Sequence, residues 1–186
     1  MGIHQLSVVY DEVQDRLLWR INTHEAQEYR FWMTRRLMLR LMPHLKNHWV
    51  QAESRQAGLS TQPPATQHLM ADFQRQAFLE KADFKQPFAP AQAPSALPLG
   101  EAPMLVTEVQ ITPQAGQQVQ MVLHHKLPGA TQVQSAQLML GSELLQGLLH
   151  LSEAAMRQAE WLAPETAHSN KETDTHSAPN LSSFAH

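Results

Sequence analysis

The feature that most constrains the fold is a short stretch, residues 29–42, in which a strand pattern runs directly into a helix pattern. Its first part alternates apolar residues with outward-facing ones, the apolar residues being Tyr29, Phe31 and Met33. After Thr34 the apolar residues recur at three- and four-residue spacing, at Leu37, Met38, Leu41, Met42, Leu45 and Trp49. We therefore expect an amphipathic helix that follows a strand directly and covers the inner face of its sheet.

Two further strands are predicted before this stretch, over residues 5–10 and 17–22. Short polar connections join the three strands, which indicates an antiparallel meander. Thr34 is suited to cap the helix, because its hydroxyl can accept from a free backbone N–H of the first turn. Pro43 cannot donate to the helix, so we expect a kink or break near residues 39–42, with helix resuming to about residue 52.

The same order of patterns returns in the second half of the chain. Alternation predicts strands over residues 105–112, 118–125 and 136–140, followed by a helix from residue 142 to about residue 161. Aligning Thr34 with Gly141 places the apolar helix positions of the first half on Leu144, Leu145, Leu148 and Leu149. We interpret the chain as an α+β fold of two small three-stranded antiparallel sheet-plus-helix (βββα) units. Duplication of one unit is the preferred explanation, and coincidence is the alternative.

These patterns divide the chain into four parts. The first unit covers residues 1–57 and the second covers residues 104–163. Residues 58–103 form a linker, one helix at 67–84 and a Pro/Ala-rich tether at 87–103. On that helix we expect one apolar side, formed by Met70, Phe73, Ala77 and Phe84. Residues 164–186 are polar and are predicted to be a disordered tail.

In architecture, two sheet-plus-helix units resemble the Whirly and related single-strand-binding folds. Those folds have four strands per unit, whereas three are predicted here. No motif is shared, and no family is assigned.

Composition excludes several classes of function. The chain has 186 residues, a net charge of −3 and no cysteine, which rules out disulfides, thiolate catalysis and cysteine metal sites. No apolar run is long enough to span a bilayer, and no leader pattern is found at the N-terminus. We expect a cytoplasmic protein. Eight basic and six acidic residues precede residue 61, while three basic and eight acidic residues follow residue 100, so the front is basic and the back acidic.

No constellation of residues predicts catalysis, a cofactor or a metal. His44 and His48 lie one helical turn apart, but no glutamate follows His44 as zinc proteases require. Neither a glycine-rich phosphate loop nor a nucleophile elbow is found. The sequence therefore predicts that the chain is not an enzyme.

The least ordinary feature is a pair of arginines, Arg35 and Arg36, at the predicted start of a helix, where the helix dipole disfavours cations. Other candidates lie on the outer face of the preceding strands, at Arg20, Arg30 and Trp32. Together these residues could bind a phosphate or a stacked base. The alternative is structural: nearby acids, Asp15, Glu25 and Glu28, would neutralise the arginines, and Trp32 would be packed.

Two functions are consistent with these patterns. The first is a non-enzymatic interaction or adaptor protein, whose exposed Met- and Leu-rich helices bind a protein partner or a second copy of the chain. The alternative is a module that binds single-stranded nucleic acid or another anion through the arginine and tryptophan cluster. Salt dependence distinguishes them, because phosphate binding weakens steeply with salt.

Overall fold

The structure is a computed structural model that describes residues 2–82, 88, 96–129 and 133–162. These residues form an α+β fold with two sheets and three helices. In chain order the elements are β1 (Ile3–Asp11), β2 (Arg16–Thr23), β3 (Glu28–Thr34), α1 (Arg35–Gln56), α2 (Pro64–Lys81), β4 (Met104–Leu105), β5 (Glu108–Pro113), β6 (Val119–His125), β7 (Gln134–Leu140) and α3 (Ser142–Gln158).

The first sheet has the order β1-β2-β3-β4, with β1, β2 and β3 antiparallel as predicted. Its inner face is built from alternate residues. Trp19 lies between Val8 and Phe31 in the register, and both Trp19 and Phe31 are completely buried. Leu18 and Arg20, which alternate with Trp19, point to the outer face and are half-buried. The period-2 pattern therefore predicted correctly which side of this sheet forms the core.

The second sheet has the order β5-β6-β7 and is antiparallel throughout. Met121 lies between Ile111 and Leu138 in the register, and its side chain is completely buried. Gly116 adopts a positive φ of 68° in the turn between β5 and β6, a conformation that glycine takes without steric cost.

The predicted strand at residues 105–112 is wrong as a single element. Met104–Leu105 pairs in parallel with β3 of the first sheet, so that sheet has four strands. The chain then crosses to the second sheet, where Glu108–Pro113 pairs with β6. At the crossing the alternation changes phase: Val106 is buried and donates its N–H to the Trp32 carbonyl, whereas Thr107 is exposed. A single run of alternating residues therefore belongs to two sheets, because β3 pairs with its first part and β6 pairs with its second part.

Helix α1 starts where the sequence predicts. Thr34 is the N-cap and accepts from the Leu37 N–H at 3.3 Å. Of the kink or break predicted at Pro43, the break is wrong, because α1 continues through Pro43 to Gln56, and the kink stays a prediction. Buried residues on both sides of Pro43, including Met42 and Leu45, hold the two halves of the helix on one core. Their burial outweighs the hydrogen bond that the proline cannot make.

Helix α2 differs from its prediction in both position and orientation. It extends from Pro64 to Lys81, so it begins and ends three residues earlier than expected. Its buried residues are Ala71 and Arg75, whereas Met70 and Phe73 are exposed. The predicted apolar side therefore faces away from the core, and Phe84 lies outside the described residues.

Helix α3 packs on the first sheet, against β1 and β2, as well as on its own strand β7. The Trp161 indole, just after α3, donates to the Asp15 carboxylate at 2.9 Å and meets the Tyr10 ring edge-on at 5.9 Å. At the other end of α3 the Ser142 hydroxyl donates to Glu53 of α1 at 2.7 Å. Both sheets, α1 and α3 consequently share one hydrophobic core.

The order strand-strand-strand-helix occurs in both halves of the chain, but duplication and the division at residues 57 and 104 stay predictions. The predicted tail, residues 164–186, lies outside the described residues, as do residues 87 and 89–95 of the tether. The described end of the tether is attached to the first sheet: Ala96 exchanges backbone hydrogen bonds with Ala26 and Glu28, at 3.2 and 3.0 Å.

Candidate functional site

The structure places three of the candidate residues on one face of the first sheet. Arg20 and Arg30 lie directly opposite each other on β2 and β3, and Trp32 follows two residues after Arg30 on the same side. Trp32 is half-buried and is flanked in the register by Leu18 and Leu105. This outer-face group is therefore a contiguous strip of cationic and aromatic side chains.

Arg30 already has an acidic partner. Its Nε donates to the Glu28 carboxylate at 2.8 Å, and Glu28 is only 3% exposed. Its Nη1 also donates to the Glu101 carbonyl at 3.4 Å. The alternative explanation, in which nearby acids neutralise the arginines, is thus correct for Glu28. It is not correct for Asp15, which accepts from Tyr10 and Trp161 instead.

Arg20 is held by neutral groups. Its Nη2 donates to the Ser7 hydroxyl at 3.4 Å, and its Cζ lies 4.3 Å from the centre of the Phe88 ring in a cation–π contact. Its Nε is buried without a hydrogen-bond acceptor in the part of the chain that the structure describes. Arg20 and Arg30 are therefore fixed within the fold before any ligand binds.

Arg35 and Arg36 differ from the outer-face pair. Both are exposed in the first turn of α1, which contains no acidic residue, and neither forms an ion pair with a described residue. Arg36 lines a cleft of about 320 Å³ together with Arg40, and Leu105 forms part of the opposite wall. Arg40 was missed in the sequence, although its position one turn after Arg36 could have indicated it.

The cluster therefore divides into two groups that meet at Leu105. Leu105 is the register neighbour of Trp32 in the outer-face group, and it also lines the cleft beside Arg36. The second group, which we call the helix-end arginines (Arg35, Arg36 and Arg40), consists of exposed cations without an ion pair among the described residues.

The most apolar exposed surface on the described helices lies on α2, away from the arginines. On α2, Leu69 is 71% exposed, Phe73 is 69% exposed and Met70 is 39% exposed. These three residues, which we call the α2 stripe, lie at helical spacing on one side. The Met- and Leu-rich faces of α1 and α3 are buried in the core, so they are not the exposed helix surface that an interaction function requires. Among the three described helices, contiguous large exposed apolar residues are therefore found on α2, whereas α1 exposes the single residue Leu39 at 41%.

The histidines do not form a metal site in the described part of the chain, where no cluster of three potential ligands is found. His44 is exposed and His48 is half-buried. Burial, and then the charge of Arg55, hold the pKa of His48 below its usual value of 6.5. Burial likewise lowers the pKa of His150, with the nearby Arg75 as the next cause.

Two larger cavities lie between elements. One, of about 620 Å³, separates the end of α1 from the β5–β6 turn and is lined by His48 and Arg55 among others. The other, of about 810 Å³, lies between α1, α2 and α3. None of the helices that the structure describes is long and apolar enough to cross a bilayer.

Comparison with protein families, characterised proteins and solved structures finds no match for this chain. Any functional assignment therefore depends on the geometry of its own surfaces.

Proposed function

We propose that this chain is a non-enzymatic interaction protein that associates through the α2 stripe, and that its partner is a second copy of the same chain. The observation that carries the proposal is the exposure of Leu69 and Phe73, one helical turn apart, at 71% and 69%. Contiguous exposed apolar residues of this kind typically mark an interaction site.

A second copy suits the stripe because the stripe is uncharged. A two-fold contact sets the same surface against itself, so a charge near its axis would meet its own sign. The three residues of the stripe carry no charge, and the exposed carboxylates on the same side of α2, Asp72 and Glu80, lie beside it. Two α2 helices can therefore meet through the apolar residues while these carboxylates stay in water at the rim, where salt screens their repulsion. The patch is small beside the roughly 1,600 Å² of a standard interface, so we expect a weak, reversible dimer.

Sedimentation equilibrium over a wide range of protein concentration tests this proposal. The wild-type chain should show a reversible monomer–dimer equilibrium. The double variant Leu69→Gln/Phe73→Gln should stay monomeric. The matched control is Val13→Gln/Leu127→Gln, which removes two exposed apolar residues from turns and should leave the equilibrium unchanged. A wild type that is monomeric at every concentration, or a control that dissociates equally, contradicts the proposal.

The alternative function is binding of single-stranded nucleic acid or another anion through the helix-end arginines. It is favoured by the exposure of Arg35 and Arg36 without an ion pair among the described residues. The sequence predicted that Arg20, Arg30 and Trp32 would join Arg35 and Arg36 in binding the anion. The ion pair with Glu28 weakens that wider version of the hypothesis, because it already neutralises the charge of Arg30.

Fluorescence anisotropy with a single-stranded oligonucleotide at two salt concentrations tests the alternative. If it holds, Arg35→Glu/Arg36→Glu abolishes binding, and the wild-type affinity falls steeply with salt. Arg55→Glu, at the opposite end of α1, is the control and should retain most of the affinity. A wild type that does not bind at low salt excludes this function.

A further inference from the structure

The cavity between α1, α2 and α3 has the size and lining of a small-molecule site. Its volume of about 810 Å³ lies within the usual range of roughly 300–1,000 Å³ for such sites. Each helix or its end contributes apolar side chains to the wall, with Met42 from α1, Leu79 from α2, and Met156 and Leu162 from α3 and the residues after it. Met42 and Met156 are buried, so the apolar wall is a fixed part of the fold.

Charged groups line the same cavity, and the positive ones are in excess. Lys46, Arg75 and Arg157 face it, and among the described residues Glu153 supplies the one carboxylate in the lining. Glu153 accepts from Arg75, with Nη1 and Oε1 3.4 Å apart, and lies 3.9 Å from Arg157. Lys46 forms no ion pair with a described residue. The Glu153 carboxylate is thus shared by Arg75 and Arg157, and the positive charge of Lys46 is not balanced by an ion pair with a described residue.

Arg75 gives an independent indication that a polar group is missing from this cavity. The residue is only 9% exposed, and its Nε is buried with no hydrogen-bond acceptor in the described residues. An unsatisfied buried donor costs free energy that an incoming acceptor would recover. The unsatisfied Nε of Arg75 favours an additional acceptor in this region, and the unpaired charge of Lys46 favours an acceptor that is anionic.

We propose that this cavity binds a small amphiphilic anion, with an apolar chain along the inter-helix wall and one anionic headgroup, such as a carboxylate, near Lys46 and Arg75. The chain is held by burial of its methylene groups against Met42, Leu79 and Met156. The headgroup is held by charge-assisted hydrogen bonds, which are stronger than neutral ones. This site is separate from the α2 stripe, because Leu69 and Phe73 do not line the cavity.

Isothermal titration calorimetry of the full chain with decanoate, below its micellar concentration, tests the proposal. We expect saturable binding with one site per chain. Nonyltrimethylammonium, which has the same nine-carbon alkyl chain and the opposite charge, should bind at least about tenfold more weakly. Shortening the carboxylate should weaken binding by about fourfold per methylene, as expected for burial of an apolar chain.

Two variants that each remove one positive charge from α1 locate the headgroup. Lys46→Gln should weaken decanoate binding by about tenfold, whereas Arg36→Gln should leave it unchanged, because Arg36 lies outside the cavity. Leu69→Gln/Phe73→Gln should also leave it unchanged, which separates the cavity from adsorption on the exposed stripe.

Three results would overturn the inference. They are no saturable binding of decanoate by the wild type, equal affinity for the cationic analogue, or equal affinity of Lys46→Gln and the wild type. If binding is lost only in the α2 stripe variant, the amphiphile adsorbs on that helix and the cavity is not its site.

Discussion

At the scale of single residues, the arginines of the candidate site differ from one another in what each contacts. Arg30 is bonded to a carboxylate that is almost fully buried, whereas Arg36 is exposed on the first turn of α1. Removing one partner of a buried ion pair leaves the other charge uncompensated, which is costly. Removing an exposed charge with no partner changes little. The same residue type therefore stabilises the fold at one position and is available to a ligand at the other.

Arg30→Ala should destabilise the protein by about 1–3 kcal/mol, because the Glu28 carboxylate loses its donor. Arg36→Ala should change stability by no more than about 0.5 kcal/mol. Urea unfolding of both variants measures these free energies. Adding Glu28→Gln to Arg30→Ala should recover part of the loss. Equal losses for Arg30→Ala and Arg36→Ala would show that the ion pair does not contribute to stability.

Two half-buried histidines make stability depend on pH. Burial lowers the folded-state pKa of His48 and His150 below the unfolded value of 6.5, so the unfolded chain binds more protons on acidification. The stabilisation is complete above pH 6.5 and is lost as pH falls through the lowered folded-state values. Melting temperature should therefore decrease below pH 6.5, and His48→Gln/His150→Gln should flatten that decrease. His44→Gln is the exposed control, and a decrease that the double variant leaves unchanged would contradict this explanation.

At the scale of elements, most of the regular structure follows from periodicity. Alternation identified the buried face of β2 and β3, and the three- and four-residue spacing identified the buried side of α1, because burial on one face is what selects these patterns. Neither pattern specifies which neighbour an element will pack against. The split of residues 104–113 between two sheets was therefore not predictable. For α2, packing at Ala71 and Arg75 overrides the apolar side that spacing alone would place in the core.

The candidate site was predictable only in part, for a related reason. The sequence placed Arg20, Arg30 and Trp32 on one outer face correctly, since strand residues two apart share a face. It left open whether the acids Asp15, Glu25 and Glu28 neutralise the arginines, because ion pairing depends on distances of a few ångströms. The inter-helix cavity was missed altogether, since its lining comes from three helices distant in sequence.

The equivalent positions of α1 and α3 test whether both helices contribute to one core. Leu41 is 5% exposed and Leu148 is 1% exposed. Leu41→Ala and Leu148→Ala should each cost about 2–5 kcal/mol, from lost burial and the cavity that remains. Leu39→Ala, at a 41% exposed position on α1, is the matched control and should cost much less. Chemical denaturation gives all three values, and a loss below half a kcal/mol at either buried site would contradict the shared core.

At the scale of the whole molecule, the two halves of the chain depend on each other. Helix α3 covers the first sheet and β4 extends it. The Trp161 indole donates a hydrogen bond to Asp15, in the turn between β1 and β2. Each half alone would expose the surface that the other half covers. A single core of this kind also fixes the position of α2, which is tied to α3 by the Arg75–Glu153 ion pair.

Cutting the chain once between residues 82 and 96, at an introduced protease site, should not separate the halves. Because they share one core, the two fragments should elute together in size-exclusion chromatography and melt in a single transition. Adding Trp161→Ala, which removes a buried contact between the halves, should lower that melting temperature. Fragments that separate and melt independently would show that the halves fold as autonomous units.

The central claim is that two copies of the chain meet through the α2 stripe, and cysteine cross-linking tests it most directly. The chain has no cysteine, so Met70→Cys introduces a single thiol in the middle of the stripe, and Val13→Cys introduces one in the exposed β1–β2 turn as the control. Under mild oxidation, Met70→Cys should form disulfide-linked dimers rapidly at dilute concentration, and Leu69→Gln/Phe73→Gln in the same background should slow the reaction to the control rate. Equal rates for Met70→Cys and Val13→Cys would contradict the claim.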